Sequence, residues 1–395
     1  MKDYARRLPA SLGITVAGLL ALSACGGTAA PASSTAASAS AKPANSAAAP
    51  ASPAASGNAK WDELLAAGKK EGKVVIMGTP ITPLSDAYTQ QFPKDTGIQL
   101  EYEQVPTGEA GVRAPREIQS GKPTFDVIQS GAFPMDQLEP QGMLQPIKPL
   151  LILPEVTDPT MWRGDKGIIW IDKGQQDVPR PTSSATPLLF VNSNLVPPGS
   201  IKTVKDLLDP KWKGKIVATD PRMVGPGQSE AAYMYDTLGP QFVTSLYKDQ
   251  GVVLVKAEQQ GAEGLARGTY AMGIGISTQA VEAFRKEGLP LAAEMPPDAP
   301  GYVTGGFSPL AYPKGAQHPN AAAVFLNWEL TKAGQTAYSN ATLEVSVRKD
   351  VPTDKIPPYR IPKEGVNYLD TYAGDYYVNK RIPNTKAVVA LLEGL

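Results

Sequence analysis

Cysteine and histidine each occur once in 395 residues, as Cys25 and His318. A single thiol closes no internal disulfide, and one imidazole without a second thiol is too small a ligand set for zinc or copper. A Ser–His–Asp hydrolase would depend on His318, which stands in Q-H-P-N-A-A-A just before Pro319, a position typical of a helix start. There is no G-x-S-x-G elbow and no P-loop, and no spacing of acids singles out an acid–base couple. Catalysis is therefore disfavoured, and neither a metal nor a cofactor is expected. The net charge is zero, so no basic face invites nucleic acid. The one extended apolar run, Leu12–Leu22, is 11 residues long, whereas a spanning helix takes roughly 20.

That run follows Lys2, Arg6 and Arg7, the order of charge and apolarity in a secretory signal. Leu22-Ser23-Ala24-Cys25 resembles the lipobox of bacterial lipoproteins, which implies that Cys25 is acylated and becomes the new N-terminus. Acyl chains add roughly 0.8 kcal/mol per buried methylene, so two or three hold firmly to a membrane. From Gly26 to Ala59 the residues are almost all Ala, Ser, Pro, Gly, Thr and Asn, a composition that cannot bury enough surface to order itself. These 34 residues would reach on the order of 30 Å as a tether. Loss of residues 1–24 takes Lys2, Asp3, Arg6 and Arg7 with it and leaves a net charge of −2.

The 336 residues from Lys60 onward exceed a usual single domain, so two lobes are expected. Trp61, Leu64 and Leu65 have helical spacing that ends at Gly72. K-V-V-I-M-G-T-P (73–80), I-Q-L-E-Y (98–102) and F-D-V-I-Q (125–129) read as short buried strands. Between them lie helical stretches carrying Leu84, Tyr88 and Phe92, and then Val112–Ile118. Such alternation favours an α/β fold with a mostly parallel sheet, where ligands sit beyond the carboxyl ends of strands. Three strand exits look chemically alike: G-T-P-I-T (78–82), Q-S-G-A (129–132) and G-I-S-T-Q (275–279).

S-I-K-T-V-K-D-L-L-D-P-K-W-K-G-K-I-V-A-T-D-P (200–221) resembles a segment of the type II extracellular solute-binding proteins of ABC importers, in particular their ferric-iron-binding-like branch. Residues 61–75, 314–330 and 346–351 resemble it too, in order along nearly all of 60–395. The resemblance implies a two-lobed periplasmic-binding-protein-like fold, with hinge-crossing strands near Thr186–Val191 and Pro300–Gly306 and a ligand cleft between the lobes. The expected divisions are a signal over 1–24, the lipidated Cys25 and tether over 25–59, and lobe 1 over 60–186. Lobe 2 follows over 187–305, a return to lobe 1 over 306–340, and a C-terminal region over 341–395 packing on lobe 2. Implied partners are a small-molecule ligand and membrane permease subunits, for a monomer held by lipid to the outer face of the cell membrane. A ligand-presenting sensor would share the same sequence features.

Ferric-binding members typically use a histidine, a glutamate and two adjacent tyrosines. The matching positions here are Pro80, Gly131, Thr278 and Gln279, none of which supplies an imidazole, carboxylate or phenolate. Tyr376-Tyr377 would allow a rearranged ferric site, although Tyr368, Tyr372 and Tyr376 recur at i, i+4, i+8 like one face of a helix. The alternative expectation is an organic anion. D-P-R-M-V-G-P-G-Q-S-E (220–230) precedes a helical stretch, so Gly225, Gly227 and Ser229 would offer N–H groups at a helix start, with Arg222 as a bidentate anion contact. Thr79, Thr82, Thr107, Ser130, Gly131, Ser277 and Thr278 are expected to hydrogen-bond the ligand, with Glu109 and Arg113 as further first-lobe candidates.

Overall fold

A computed structural model describes residues 58–394 apart from Pro198. The expected signal, Cys25 and nearly all of the tether lie outside the described residues. The chain begins with α1 (Ala59–Glu71), β1 (Lys73–Gly78), α2 (Thr82–Thr96), β2 (Gln99–Gln104), α3 (Thr107–Gln119), β3 (Val127–Gln129), β4 (Leu144–Gln145) and the short α4 (Pro154–Thr157). It continues through β5 (Ser184–Thr186), β6 (Leu189–Asn192), β7 (Ile216–Thr219), α5 (Pro226–Leu238), α6 (Pro240–Thr244), β8 (Val253–Val255), α7 (Glu258–Ala266), β9 (Met272–Ile274), α8 (Thr278–Lys286) and β10 (Leu291–Glu294). β11 (Tyr302–Thr304), β12 (Leu310–Pro313), α9 (Pro319–Glu329), α10 (Lys332–Thr342), β13 (Leu369–Asp370), α11 (Gly374–Tyr376) and α12 (Ile382–Leu391) complete it.

Local chemistry explains these boundaries. Pro83 opens α2, Leu84, Tyr88 and Phe92 bury its inner face, and Gly97 ends it in the left-handed conformation that glycine adopts without strain. In β1 Val74 and Ile76 enter one core while Val75 and Met77 enter another. This strand is buried on both faces, as a parallel sheet between helical layers requires. The first sheet runs β2-β1-β3-β12-β4, with β12 antiparallel to β3 and β4. The second runs β10-β6-β9-β7-β8 and repeats the two-faced burial, Val191 on one side and Phe190 on the other.

Between the sheets β5 pairs antiparallel with β11, Thr186 facing Tyr302 and Ser184 facing Thr304. Gly301 has φ +91°, and a Cβ there would lie 2.0 Å from the Thr186 carbonyl oxygen, so only glycine fits this crossing. His318 caps α9 structurally: its backbone N–H and Nδ1 lie 2.8 Å from the two Asp126 carboxylate oxygens.

Two expectations for the C-terminal region are corrected. It does not pack on the second lobe alone. Val347 joins the core under the first sheet and Tyr372 and Tyr377 join that sheet's other core, while Val388 and Leu392 join the second lobe's core, with Leu369, Leu391 and Tyr359 packed against that lobe's cores as expected. Nor do Tyr368, Tyr372 and Tyr376 share one helix. Arg180 grips Asp370 through two bonds of 2.6 and 2.9 Å, and β13 pairs with β11, so Leu369–Asp370 is strand, a turn follows at residues 371–372, and the helix begins only at Gly374.

Candidate functional site

A cavity of about 330 Å³ opens beside the crossing strands and is lined by both lobes. It lies near the small end of the roughly 300–1,000 Å³ usual for small-molecule sites. Three helices begin on its wall. α3 begins at Thr107 and α5 at Pro226 after Gly225, and no side chain caps either. α8 begins at Thr278, where the Ser277 hydroxyl accepts from the Ala280 N–H at 3.4 Å. Each helix start carries partial positive charge, so together they favour an anionic occupant.

Of the residues expected to hold ligand, Thr107, Gly131, Gly225, Ser229, Ser277 and Thr278 line the cavity. Ser130 is fully buried behind the wall, its hydroxyl 3.0 Å from Thr107 Oγ1 and 3.3 Å from Thr79 Oγ1. Ser130 and Thr79 thus brace Thr107 from behind and do not line the cavity. Thr82 is exposed on the first turn of α2, off the wall. Gly227 serves packing: a Cβ there would lie 2.2 Å from the Thr219 carbonyl oxygen, so it lets α5 press onto β7. Arg222 turns from the cavity to Asp220, with Nε at 2.9 Å and Nη2 at 2.7 Å from its carboxylate oxygens. That pairing holds the Asp220 carboxyl below the usual range. Arg113 likewise bonds Glu103 and Glu117 at 2.8 and 2.5 Å, and neither it nor Glu109 lines the cavity.

The wall carries three cations, Arg360, Lys386 and Arg381. Arg360 Nη1 is held by the Ala185 carbonyl and Thr186 Oγ1 at 2.9 and 3.1 Å, whereas Arg381 keeps an enclosed nitrogen without a partner among the described residues. Arg381 lies in the wide helical turn Tyr377–Arg381, with its guanidinium 5.2 Å from the ring centroids of both Tyr372 and Tyr377. Its Nη2 donates to Ser229 Oγ at 2.5 Å, while Nη1 is sealed from solvent and has no hydrogen-bond partner among the described residues. Sequence reasoning missed it because nothing near residue 381 signals a cleft. Only the fold brings it to Ser229, 152 residues away.

Three acids share the wall. Glu344 is satisfied by Thr182 Oγ1 at 2.8 Å, Tyr338 OH at 3.2 Å and the Phe307 N–H at 3.4 Å. Glu230 is 1% exposed, and burial pushes its carboxyl well above the usual range, against a bond from Tyr302. Asp136, in the turn Pro134–Leu138, is pushed up to about 6 by burial, opposed by its own backbone N–H and the Arg381 charge.

The four positions matched to ferric ligands divide. Gly131, Thr278 and Gln279 line the cavity, and Pro80 is exposed and does not. Tyr377 lines it, but Tyr376 instead donates to Asp236 Oδ2 at 3.1 Å. Tyr372 donates to the Gly306 carbonyl at 3.0 Å. Among the described residues no group of three or more His, Cys, Asp or Glu is placed to hold a metal ion, and no helix is long and apolar enough to cross a membrane.

Residues 87–359 match the family described as bacterial extracellular solute-binding protein. An uncharacterized protein of Haemophilus influenzae is 25% identical over 287 residues, covering 69% of this chain and 79% of its own. Among solved structures, iron-bound HitA from Pseudomonas aeruginosa superposes with a TM-score of 0.62 at 18% identity, covering 82% of this chain and 99% of its own. AfuA from Actinobacillus pleuropneumoniae, with fructose-6-phosphate bound, gives 0.60 at 20% identity over 82% of this chain and all of its own. AgtB from A. tumefaciens, in complex with agropinic acid, gives 0.58 at 18% identity over 80% and 98%. These likenesses establish the two-lobed periplasmic-binding-protein fold.

Proposed function

Because this chain belongs to the bacterial extracellular solute-binding proteins, we propose that it captures a small organic anion in the cavity and hands it to the membrane permease of an ABC importer. The observation that carries this reading is Arg381, whose Nη1 is enclosed and unpartnered on a wall where three helices begin. A buried donor without an acceptor is unfavourable, and a carboxylate, phosphate or sulfonate would complete it with a charge-assisted bond. The fructose-6-phosphate and agropinic acid held by AfuA and AgtB are organic anions of suitable size. Iron suits this wall less well, because the Arg381 charge lies over Tyr372 and Tyr377 and would repel a cation from their phenols.

Closure of two lobes over a ligand gains contacts from both, which makes the ligand itself the signal that the permease reads. Acylation at Cys25, with residues 26–59 as tether, would hold the binder near that permease. Thermal-shift screening of the full chain against phosphates, sulfonates, carboxylates, sugars, polyamines and ferric iron tests the reading. A ligand at a hundred times its dissociation constant adds about 2.7 kcal/mol. A rise with an organic anion that disappears in Arg381→Ala supports it; a rise with ferric iron alone overturns it.

A further inference from the structure

We infer that the anion is polyhydroxylated: its acidic group meets Arg381, and its hydroxyls meet the carboxyl groups of Glu230 and Asp136, one from each lobe. This rests on the anion reading above and adds the other half of the ligand. Glu230 is 99% buried, lines the cavity from α5, and its Oε1 has no hydrogen-bond partner among the described residues. Asp136 lines the cavity from the first lobe, and its Oδ1 is enclosed and unpartnered in the same way. Glu344, on the same wall, shows the contrast, since three protein donors satisfy it. Two acidic residues and one arginine on the wall of one cavity therefore each carry an enclosed atom with an unmet hydrogen bond.

The chemistry of possible occupants separates them. A bare oxyanion answers Arg381 and brings no donor to a carboxylate at Asp136. A metal ion would bond the carboxyl oxygens but leave the Arg381 Nη1 hydrogen unmet beside a second positive charge. An ammonium group donates to a carboxylate and accepts nothing from a carboxylic acid. A hydroxyl donates and accepts, so it satisfies Glu230 or Asp136 in either protonation state. A site built to bond hydroxyls also rejects analogues that lack them, because its own polar groups are then left buried and unpaired.

The test pairs probes of equal length against the full chain: gluconate with hexanoate, a hexose phosphate with hexyl phosphate, and aminohexanoate for the amine. Dissociation constants are measured by titration calorimetry in wild type, Glu230→Leu, Asp136→Asn and Arg381→Ala. We expect a hydroxylated probe to bind at least about tenfold tighter than its bare partner. That ratio should collapse in Glu230→Leu and shrink in Asp136→Asn, while Arg381→Ala weakens both members of the pair. Equal binding of hydroxylated and bare probes, both lost in Arg381→Ala, would overturn this inference and leave the anion reading standing. Preference for aminohexanoate would overturn the hydroxyl assignment. Binding of none of these, with ferric iron bound instead, would overturn both. If Glu230→Leu fails to fold, Asp136→Asn on the other wall decides by the same ratio.

Discussion

The base of the first lobe and the wall of the cavity each enclose an arginine, and the two are completed differently. Arg348 has all five N–H groups answered by protein: Nε and Nη2 bond Asp350 at 2.9 and 3.0 Å, Nη1 bonds the Glu155 and Leu330 carbonyls at 3.0 Å each, and Nη2 also reaches Glu155 Oε2 at 3.2 Å. Its guanidinium also stacks over Trp162 at 5.4 Å. Arg381 bonds Ser229 Oγ through Nη2 and interacts with the Tyr372 phenol, yet keeps an enclosed Nη1 with no hydrogen-bond partner among the described residues. A buried charge that the chain satisfies alone serves the fold, whereas one left half-satisfied beside a cavity points to something the chain does not contain.

The largest effect expected from this contrast is on stability. Arg348→Ala strands the Asp350 carboxylate and two carbonyls, and should lower unfolding free energy by about 3–5 kcal/mol in a denaturant titration. A loss below about 1 kcal/mol would mean the network contributes little. Next is Glu230→Gln. A carboxyl raised by burial favours its protonated form in the fold, so its contribution to stability is greatest at acid pH and declines as pH rises above the usual carboxylate range. The amide variant should flatten that decline and be more stable than wild type at pH 8 by about 1–2 kcal/mol. An unchanged slope between acid and alkaline pH contradicts an acid raised by burial.

A smaller effect concerns affinity. Burial pushes the Asp136 carboxyl up to about 6, and it faces the Arg381 guanidinium and the Tyr377 phenol. A hydroxyl satisfies Asp136 in either protonation state, so affinity for a hydroxylated sulfonate should change by less than about twofold between pH 7 and 5. An alkyl sulfonate without donors should instead bind more tightly over that interval, since a nearby anion favours protonated Asp136. The smallest effect is Arg222→Ala, which removes a partly exposed pair and should change stability by at most about 1 kcal/mol and affinity by less than about twofold.

Local pattern made the fold largely legible. Helix spacing and the Gly72 stop place α1 close to its observed limits, Leu84, Tyr88 and Phe92 fall within α2, and the short apolar runs at 73–80, 98–102 and 125–129 contain β1, part of β2 and β3. The start of α5 was readable because proline and glycine punctuate it, and Gly225 and Ser229 do line the cavity. Arg222 was misassigned although the sign lay two residues upstream: Asp220 accepts both its backbone N–H and its guanidinium. Arg381 and Asp136 had no such local sign. Arg381 reaches the wall because strand pairing of β13 with β11 and the Arg180–Asp370 bond direct the C-terminal segment over the cavity, a range of contact that spacing along the chain does not encode, whereas Asp136 comes to it on the turn Pro134–Leu138 that follows β3.

Titration calorimetry of the tightest organic anion from the thermal screen, run on wild type, Arg381→Ala and Arg222→Ala, tests the central claim most directly. The account predicts a fall of about a hundredfold in Arg381→Ala, the loss of one enclosed charge-assisted contact, with Arg222→Ala close to wild type. Equal affinity in Arg381→Ala and wild type, or a loss confined to Arg222→Ala, would contradict it.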